Sequence, residues 1–294
     1  MTTALAPARV TTSPLVQLRD VVLLSKPRLS TLVMITCGGG MWLAPGDISP
    51  ARAVLAVLAT AAVVGAANAL NCFMERDLDA RMRRTRDRPL PAGRLDPLVA
   101  IGLGVFVPTL AIPVLALVAG PLTALLAVVA LLSYVLVYTP LKRRSPLALF
   151  VGAVPGAIPP AMGWTAVTGR LDAGALALFA VLFAWQLPHF LAVSLYLEDD
   201  YARAGLPVFA RAHGEPATRR AIFATSVLLV AVSFLPLAAG VIGRGYGIAA
   251  AVLGAGLLAH AGLGLRGRGA WARGFFLATL AYLTALFAVL AVFR

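Results

Sequence analysis

Asn71, Glu75 and Asp79 stand at i, i+4 and i+8, and on a helix turning about 100° per residue they project from one face. Amide and carboxylate oxygens in a row are ligands for a hard cation such as Mg²⁺, which keeps several waters and is commonly completed by substrate phosphates. Arg84 and Arg88 follow within a run that also holds Arg76, Arg81, Arg83 and Arg86, and guanidinium groups suit phosphate oxygens. The chemistry of the segment is that of a metal-diphosphate site. A solvated helix end with locally paired charges would also be rich in both signs. Against that stand the regular spacing of the acids, the apolar run leading straight into them, and Asn68 and Asn71 within its last turns, where unpaired amides are costly.

A second cluster opens with Trp185, Gln186 and His189 and ends at Glu198, Asp199, Asp200 and Tyr201. At about 100° per residue, Trp185, His189, Tyr196 and Asp200 fall within a sector of about 60°, so one face runs from aromatic ring and imidazole to carboxylate. Such a face could hold a flat aromatic substrate deep in a membrane and present a metal-diphosphate at its surface. A lone buried histidine is more often a satisfied core residue, but Gln186, His189 and the helix-weakening Pro188 stand together within an apolar span, where polar groups mark function. His260, amid alanine and glycine, reads as structural, and His213 as a loop residue. A third element is Tyr134, Tyr138 and Lys142, again at i, i+4 and i+8, continuing into Arg143 and Arg144. Two readings stand side by side for it: interfacial anchors of a membrane span, or a clamp on diphosphate.

The elements that must position these groups are membrane helices. Of the 294 residues 60% are hydrophobic and the mean hydropathy is +0.90, far above soluble domains. Nine apolar runs approach the length of about 20 residues that a span needs: residues 29–45, 54–74, 98–119, 122–141, 147–167, 173–197, 221–241, 246–265 and 274–293. The second and sixth are long enough to project past the bilayer, and the chemistry gathers at their polar ends. The net charge of +13 could suggest nucleic acid, but its placement argues otherwise. With the N-terminus inside, 21 of the 25 basic residues fall on cytoplasmic segments and only Arg52, Arg170, Arg244 and Arg294 outside, as the positive-inside rule expects.

Residues 1–28 read as a cytoplasmic arm without a cleavable secretory pattern, and residues 29–294 as one transmembrane domain. Cys37 and Cys72 show no metal or redox spacing and read as small buried residues. The acidic-then-basic connections 75–97 and 198–220 lie four spans apart, which suggests two similar four-helix halves facing each other with a ninth helix added. Gly152 and Gly156 in the fifth run form a small-xxx-small pair suited to close helix packing.

These segments together resemble the intramembrane prenyltransferases of the UbiA superfamily and, within it, the protoheme IX farnesyltransferases, or heme O synthases. The superfamily pattern Asn-Asp-x-x-Asp-x-x-x-Asp here reads Asn71-Cys72-x-x-Glu75-x-x-x-Asp79, followed by the widely shared Arg84-Thr85-x-x-Arg88-Pro89-Leu90. Cys72 leaves one fewer potential ligand than the usual acid, a loss that Asp77 is placed to offset. The acceptor-specific likeness rests on Lys26-Pro27-Arg28, Tyr138-Thr139-Pro140-Leu141-Lys142-Arg143, Pro159-Pro160-x-x-Gly163-Trp164, Trp185-Gln186-x-Pro188-His189-Phe190 and Asp200-Tyr201-x-x-Ala204-Gly205-x-Pro207.

The resemblance implies an all-α, polytopic bundle of about nine transmembrane helices around a central cavity, in which farnesyl diphosphate and heme B meet to give heme O and diphosphate. It implies Mg²⁺ on Asn71, Glu75, Asp79 and Asp200, with Arg84, Arg88 and Lys142 stabilising the departing charge. His189 would orient the porphyrin, ligate its iron or handle the water that adds. Asn68, Lys26, Arg28, Tyr138, Arg143, Trp185, Gln186 and Tyr201 complete the substrate-binding set. The implied setting is the inner membrane of an aerobic bacterium, with the N-terminus and catalytic loops cytoplasmic and with partners in cytochrome oxidase assembly. Two alternatives remain: a quinone precursor or other aromatic acceptor, and a heme transporter or chaperone, which would move substrate without releasing pyrophosphate.

Overall fold

In the computed structural model residues 14–266 and 271–293 are described, and they contain helices and no strand. Arg9, Arg268, Arg294 and the first part of the expected arm lie outside the described residues. In chain order the helices are α1 (Pro14–Leu24), α2 (Pro27–Leu43), α3 (Pro50–Asp79), α4 (Pro97–Ala119) and α5 (Pro121–Leu132). A π-helical turn, Ser133–Tyr138, joins α5 to the short α6 (Thr139–Leu141). There follow α7 (Ala148–Thr168), α8 (Ala173–Tyr196), α9 (Glu198–Arg203), α10 (Phe209–Val232), α11 (Leu235–Ala238), α12 (Arg244–Arg266) and α13 (Trp271–Val292).

The helix starts are written locally. Pro27, Pro50, Pro97 and Pro121 occupy first-turn positions, where a missing N–H costs nothing. Ser49, Asp96 and Asp172 accept bonds from first-turn amides, satisfying donors that the helix leaves orphaned.

Seven helices are long and apolar enough to cross a membrane, and the count reaches eight if α1 and α2, bent by 53° at their junction, form one span. All nine apolar runs are helical, but the count of nine spans is not reproduced. The first run is too short without α1. The fifth, α7, carries three prolines and is mostly buried by its neighbours, so it can be less apolar than a helix facing lipid. The 30 residues of α3 extend about 45 Å, half as long again as the hydrocarbon layer, and carry Glu75 and Asp79 toward the interface.

Neighbouring helices close a ring, α2–α3–α4–α5–α7–α8–α10–α12–α13 and back to α2. Two apolar cores meet along α7: Ile158 and Met162 belong to the core built with α2 to α5, and Ala157 and Trp164 to the core built with α8, α10, α12 and α13. The last helix is therefore no appendage, since Phe275, Leu286 and Leu290 are among the most buried residues of the second core. Helices α2 and α7 cross so closely that a Cβ at Gly40 would overlap the Pro160 carbonyl and one at Gly163 the Cys37 carbonyl, the close approach that substitutes for hydrophobic driving force inside lipid.

Candidate active site

The polar face of α3 is buried: Asn68, Asn71, Glu75 and Asp79 are all at most 3% exposed. Each of the three rungs at i, i+4 and i+8 receives one cation from a different segment. Lys26 Nζ donates to Asn71 Oδ1 at 2.6 Å, Lys142 Nζ to Glu75 Oε2 at 3.2 Å, and Arg88 Nη1 to Asp79 Oδ2 at 2.8 Å.

Local structure explains each delivery. Lys26 has φ 50° and ψ 67°, the one non-glycine residue at positive φ among the described residues. A left-handed lysine ahead of a proline is strained by about 1–3 kcal/mol, and that conformation turns the chain between α1 and α2. Lys142 follows the π-helical turn. Pro140 has no N–H to offer the preceding turn and would crowd it; instead the Thr139 N–H and hydroxyl both donate to the Tyr134 carbonyl. Arg88 sits in turns after α3 that begin with Thr85 Oγ1 donating to the Asp79 carbonyl at 2.9 Å.

A hydrogen-bond chain backs the rungs. Asn71 Nδ2 donates to Thr139 Oγ1 at 3.0 Å, Tyr134 OH to Asn68 Oδ1 at 3.3 Å, and Asn68 Nδ2 to the Ser25 carbonyl at 3.1 Å. Tyr138 stacks on Tyr134 with centroids 5.4 Å apart, and its ring lies where a Cβ on Gly152 would be. The small-xxx-small pair on α7 thus accommodates side chains, since Gly156 likewise faces the amide of Gln186. Arg143 donates to the Met74 carbonyl. Burial opposes the Lys142 charge, but Tyr138 and the Glu75 carboxylate outweigh it and hold its pKa above the ordinary lysine value.

The donor types on this face, carboxylate and amide oxygens, are those that Mg²⁺ takes. Glu75 Oε1 is buried and has no hydrogen-bond partner, an expensive condition for a carboxylate oxygen. Among the described residues no group of three His, Cys, Asp or Glu forms an all-protein cage. Two carboxylates and an amide leave coordination positions for diphosphate oxygens and water, the usual arrangement for Mg²⁺.

Asp200 has partners other than those expected. Leu197, at φ −110° and ψ 24°, ends α8, so Asp200 does not continue the face of Trp185 and His189. Its Oδ1 accepts from the Arg83 N–H at 3.1 Å and its Oδ2 from the Arg84 N–H at 3.3 Å, and Arg203 closes on Oδ1. These donors hold the Asp200 carboxyl below the usual aspartate range against the burial that would raise it. Tyr201 packs with Met82 and Leu206 beneath that contact. Asp77 points outward, 71% exposed beside Arg76, and does not offset the acid absent at Cys72, whose thiol is buried against the Leu24 carbonyl. The Arg28 and Arg84 side chains are exposed.

The aromatic cluster forms a separate box between α8 and α13. His189 Nδ1 is 2.8 Å from Thr279 Oγ1, and its ring stacks on Trp185 at 4.5 Å and tilts against Phe276 at 4.8 Å. Trp185 Nε1 donates to the Thr279 carbonyl, and Gln186 Nε2 to the Ala153 carbonyl of α7. Tyr196 stacks on Phe276, so the face read from the sequence exists as far as Tyr196 and meets α13. His260 is bracketed by the rings of Trp271 and Phe275, as a structural residue is. The residues that sequence reasoning passed over are Ser25, Thr139 and Asp20; a serine or threonine beside a helix break signals capping, but not which distant amide it meets.

A family model described as the UbiA prenyltransferase family matches residues 32–280. The chain belongs to that family. The protein named protoheme IX farnesyltransferase in Anaeromyxobacter dehalogenans (strain 2CP-C) is 67% identical over 292 residues, covering 99% of each chain. Among solved structures, the apo UbiA homolog of Aeropyrum pernix K1 aligns with a TM-score of 0.73 at 21% identity, covering 90% of this chain and 97% of that one. The UbiA homolog of Archaeoglobus fulgidus, bound to GPP and Mg²⁺, aligns with a TM-score of 0.62 at 17% identity, covering 92% and 99%. At these identities the structures establish the shared fold, and this UbiA prenyltransferase family member places its cation-bearing ladder at one end of that bundle.

Proposed function

We propose that the chain transfers a farnesyl group from farnesyl diphosphate to a vinyl group of heme B, with addition of water, giving heme O and diphosphate. The observation that carries the transferase chemistry is the ladder itself: three oxygen rungs, three cations from separate segments, and one carboxylate oxygen left without a partner. The farnesyl and heme components rest on the full-length likeness to the A. dehalogenans relative.

Asn71, Glu75 and Asp79 would hold Mg²⁺, which supplies positive charge to the diphosphate oxygens. Lys26, Lys142 and Arg88, with two carboxylates among them, leave one positive charge in excess, matched to a magnesium diphosphate carrying about one negative charge. Each cation sits on a flexible stem within reach of a rung, so it can exchange a protein oxygen for a phosphate oxygen. As the allylic C–O bond breaks, its electron pair goes to the diphosphate, and these preorganised cations stabilise the charge that develops there. The vinyl π electrons then form the new C–C bond, and water adds to the resulting cation and gives up one proton. Exclusion of bulk water by the bundle protects the allylic cation before that bond forms.

Thr279 fixes the Nδ1 side of His189, which leaves Nε2 to meet heme iron, the porphyrin edge or the adding water. The exposed Arg28 and Arg84, and Arg143 bonded to the Met74 carbonyl next to Glu75, would serve as secondary contacts for diphosphate. Asp200 serves by holding the Arg83–Arg84 turn. The 21 to 4 distribution of basic residues supports a cytoplasmic ladder in a bacterial inner membrane, from which heme O would pass to cytochrome oxidase assembly.

The test is to incubate purified protein in lipid or detergent with heme B, farnesyl diphosphate and Mg²⁺, with and without chelator, and to analyse hemes by mass spectrometry. A Mg²⁺-dependent heme O peak that Asp79→Ala abolishes is the expected result. Pyrophosphate release with unchanged heme would move the acceptor to phenols or quinone precursors.

A further inference from the structure

On α1, outside the ladder, Asp20 is 3% exposed and is held by both arms of one guanidinium: Arg94 Nε at 2.9 Å from Oδ2 and Nη2 at 3.2 Å from Oδ1. The same Nη2 also donates to the Asp87 carbonyl at 3.1 Å. Arg94 thereby ties α1 to the turns that carry Arg88. A forked pair of this kind fixes direction as well as distance.

Six residues beyond Asp20 the chain reaches Lys26. Between them Leu24 is buried against Cys72 and Ala69 of α3, and the Ser25 carbonyl takes the Asn68 amide. Ser30 Oγ donates to that same carbonyl at 2.7 Å. Lys26 then adopts its left-handed conformation and sends Nζ to Asn71. A strained residue keeps its conformation only where its surroundings over-determine it. The Asp20–Arg94 clamp within α1 and the Ser25 contacts just past its C-terminal end supply that constraint.

We propose that Asp20 and Arg94 are positioning residues for diphosphate, acting through Lys26: their clamp sets α1 so that the Lys26 ammonium stands on the first rung of the ladder, in register with Arg88 on the third. This rests on the reading of the ladder as a diphosphate site. Neither residue touches the rungs, so their removal leaves the carboxylates and Lys142 in place and acts on diphosphate only through Lys26.

The experiment uses the full chain in lipid nanodiscs and measures the dissociation constant of farnesyl thiodiphosphate with Mg²⁺, alongside KM and kcat. Arg94→Lys keeps a cation facing Asp20 but loses the fork. The double variant Asp20→Asn with Arg94→Gln removes both charges, so that no lone buried charge compromises folding. Both should raise the dissociation constant and KM about tenfold, as a displaced binding group does, while kcat falls no further than it does in Lys26→Ala. Lys26→Ala should weaken binding at least as much. Adding the Asp20→Asn and Arg94→Gln pair to Lys26→Ala should weaken it no further, the non-additivity expected of residues that act through one another. Additive losses, or wild-type binding in the clamp variants while Lys26→Ala binds weakly, would overturn the coupling alone. A wild-type protein that does not bind the analogue, or Lys26→Ala that binds it unchanged, would overturn the diphosphate reading and the coupling with it.

Discussion

Two acid-bearing helix ends lie at the same end of this bundle and do different work. On α3 the helix continues through Asp79, so Asn71, Glu75 and Asp79 keep their common face and each meets a basic side chain. On α8 the helix stops at Tyr196, and Asp200 beyond it accepts from main-chain amides of the arginine turn as well as from Arg203 of its own short helix. Continuity of the helix is what separates a ligand surface from a clasp. Side-chain cations can move to an incoming phosphate, whereas amides that form a turn cannot leave without unmaking it.

The sharpest way to break this contrast is to remove one acid from each end. Glu75→Ala or Asp79→Ala should lower heme O formation by about 10²–10³-fold, the scale for deleting one preorganised electrostatic group, and should raise the Mg²⁺ concentration for half-maximal rate. If Asp200→Ala raises that Mg²⁺ requirement as far, Asp200 is a ligand and the contrast fails. Next in size is Lys142→Ala, which leaves the Glu75 carboxylate buried without its cation. Breaking a buried pair costs about 3–5 kcal/mol, so thermal unfolding in detergent should shift down by several degrees. Lys142→Ala combined with Glu75→Gln should recover most of the thermal stability and remain inactive. Recovery of activity as well would mean that neither group touches diphosphate.

Much of the ladder was legible in the sequence because helix periodicity alone puts i, i+4 and i+8 on one face, and α3 obeys it. Lys26, Lys142 and Arg88 were legible as basic residues, but not their one-to-one assignment to the rungs. That assignment depends on the left-handed turn at Lys26 and on the widened turn ahead of Pro140, neither of which periodicity reports. The same periodicity misplaced Asp200, because extrapolating 100° per residue past Tyr196 assumes a helix that Leu197 ends. The nine apolar runs were correct as helices, and length and apolarity alone identify seven or eight of them as spans, since α7 carries three prolines and α2 reaches spanning length only with α1. Asp20 carried no signal at all: one acid in an amphipathic segment acquires its meaning from Arg94, 74 residues away.

The smallest effect comes from the clasp, and its pH dependence identifies it. Hydrogen bonds to a charged group contribute about 1.5–3 kcal/mol to stability, and Asp200 stands off the ladder, so Asp200→Asn should lower thermal stability while leaving the Mg²⁺ requirement unchanged at neutral pH. The folded Asp200 carboxyl is held below the ordinary aspartate value by Arg203 and the Arg83 and Arg84 amides, against burial. A depressed pKa means that its stabilising contribution is fully present above the unfolded value of about 4 and is lost as pH falls through the folded one. Thermal stability of the wild type should therefore decline on acidification below about pH 4 more steeply than that of Asp200→Asn, which has no proton to take up there. Parallel profiles would show that the Asp200 charge does not hold the turn.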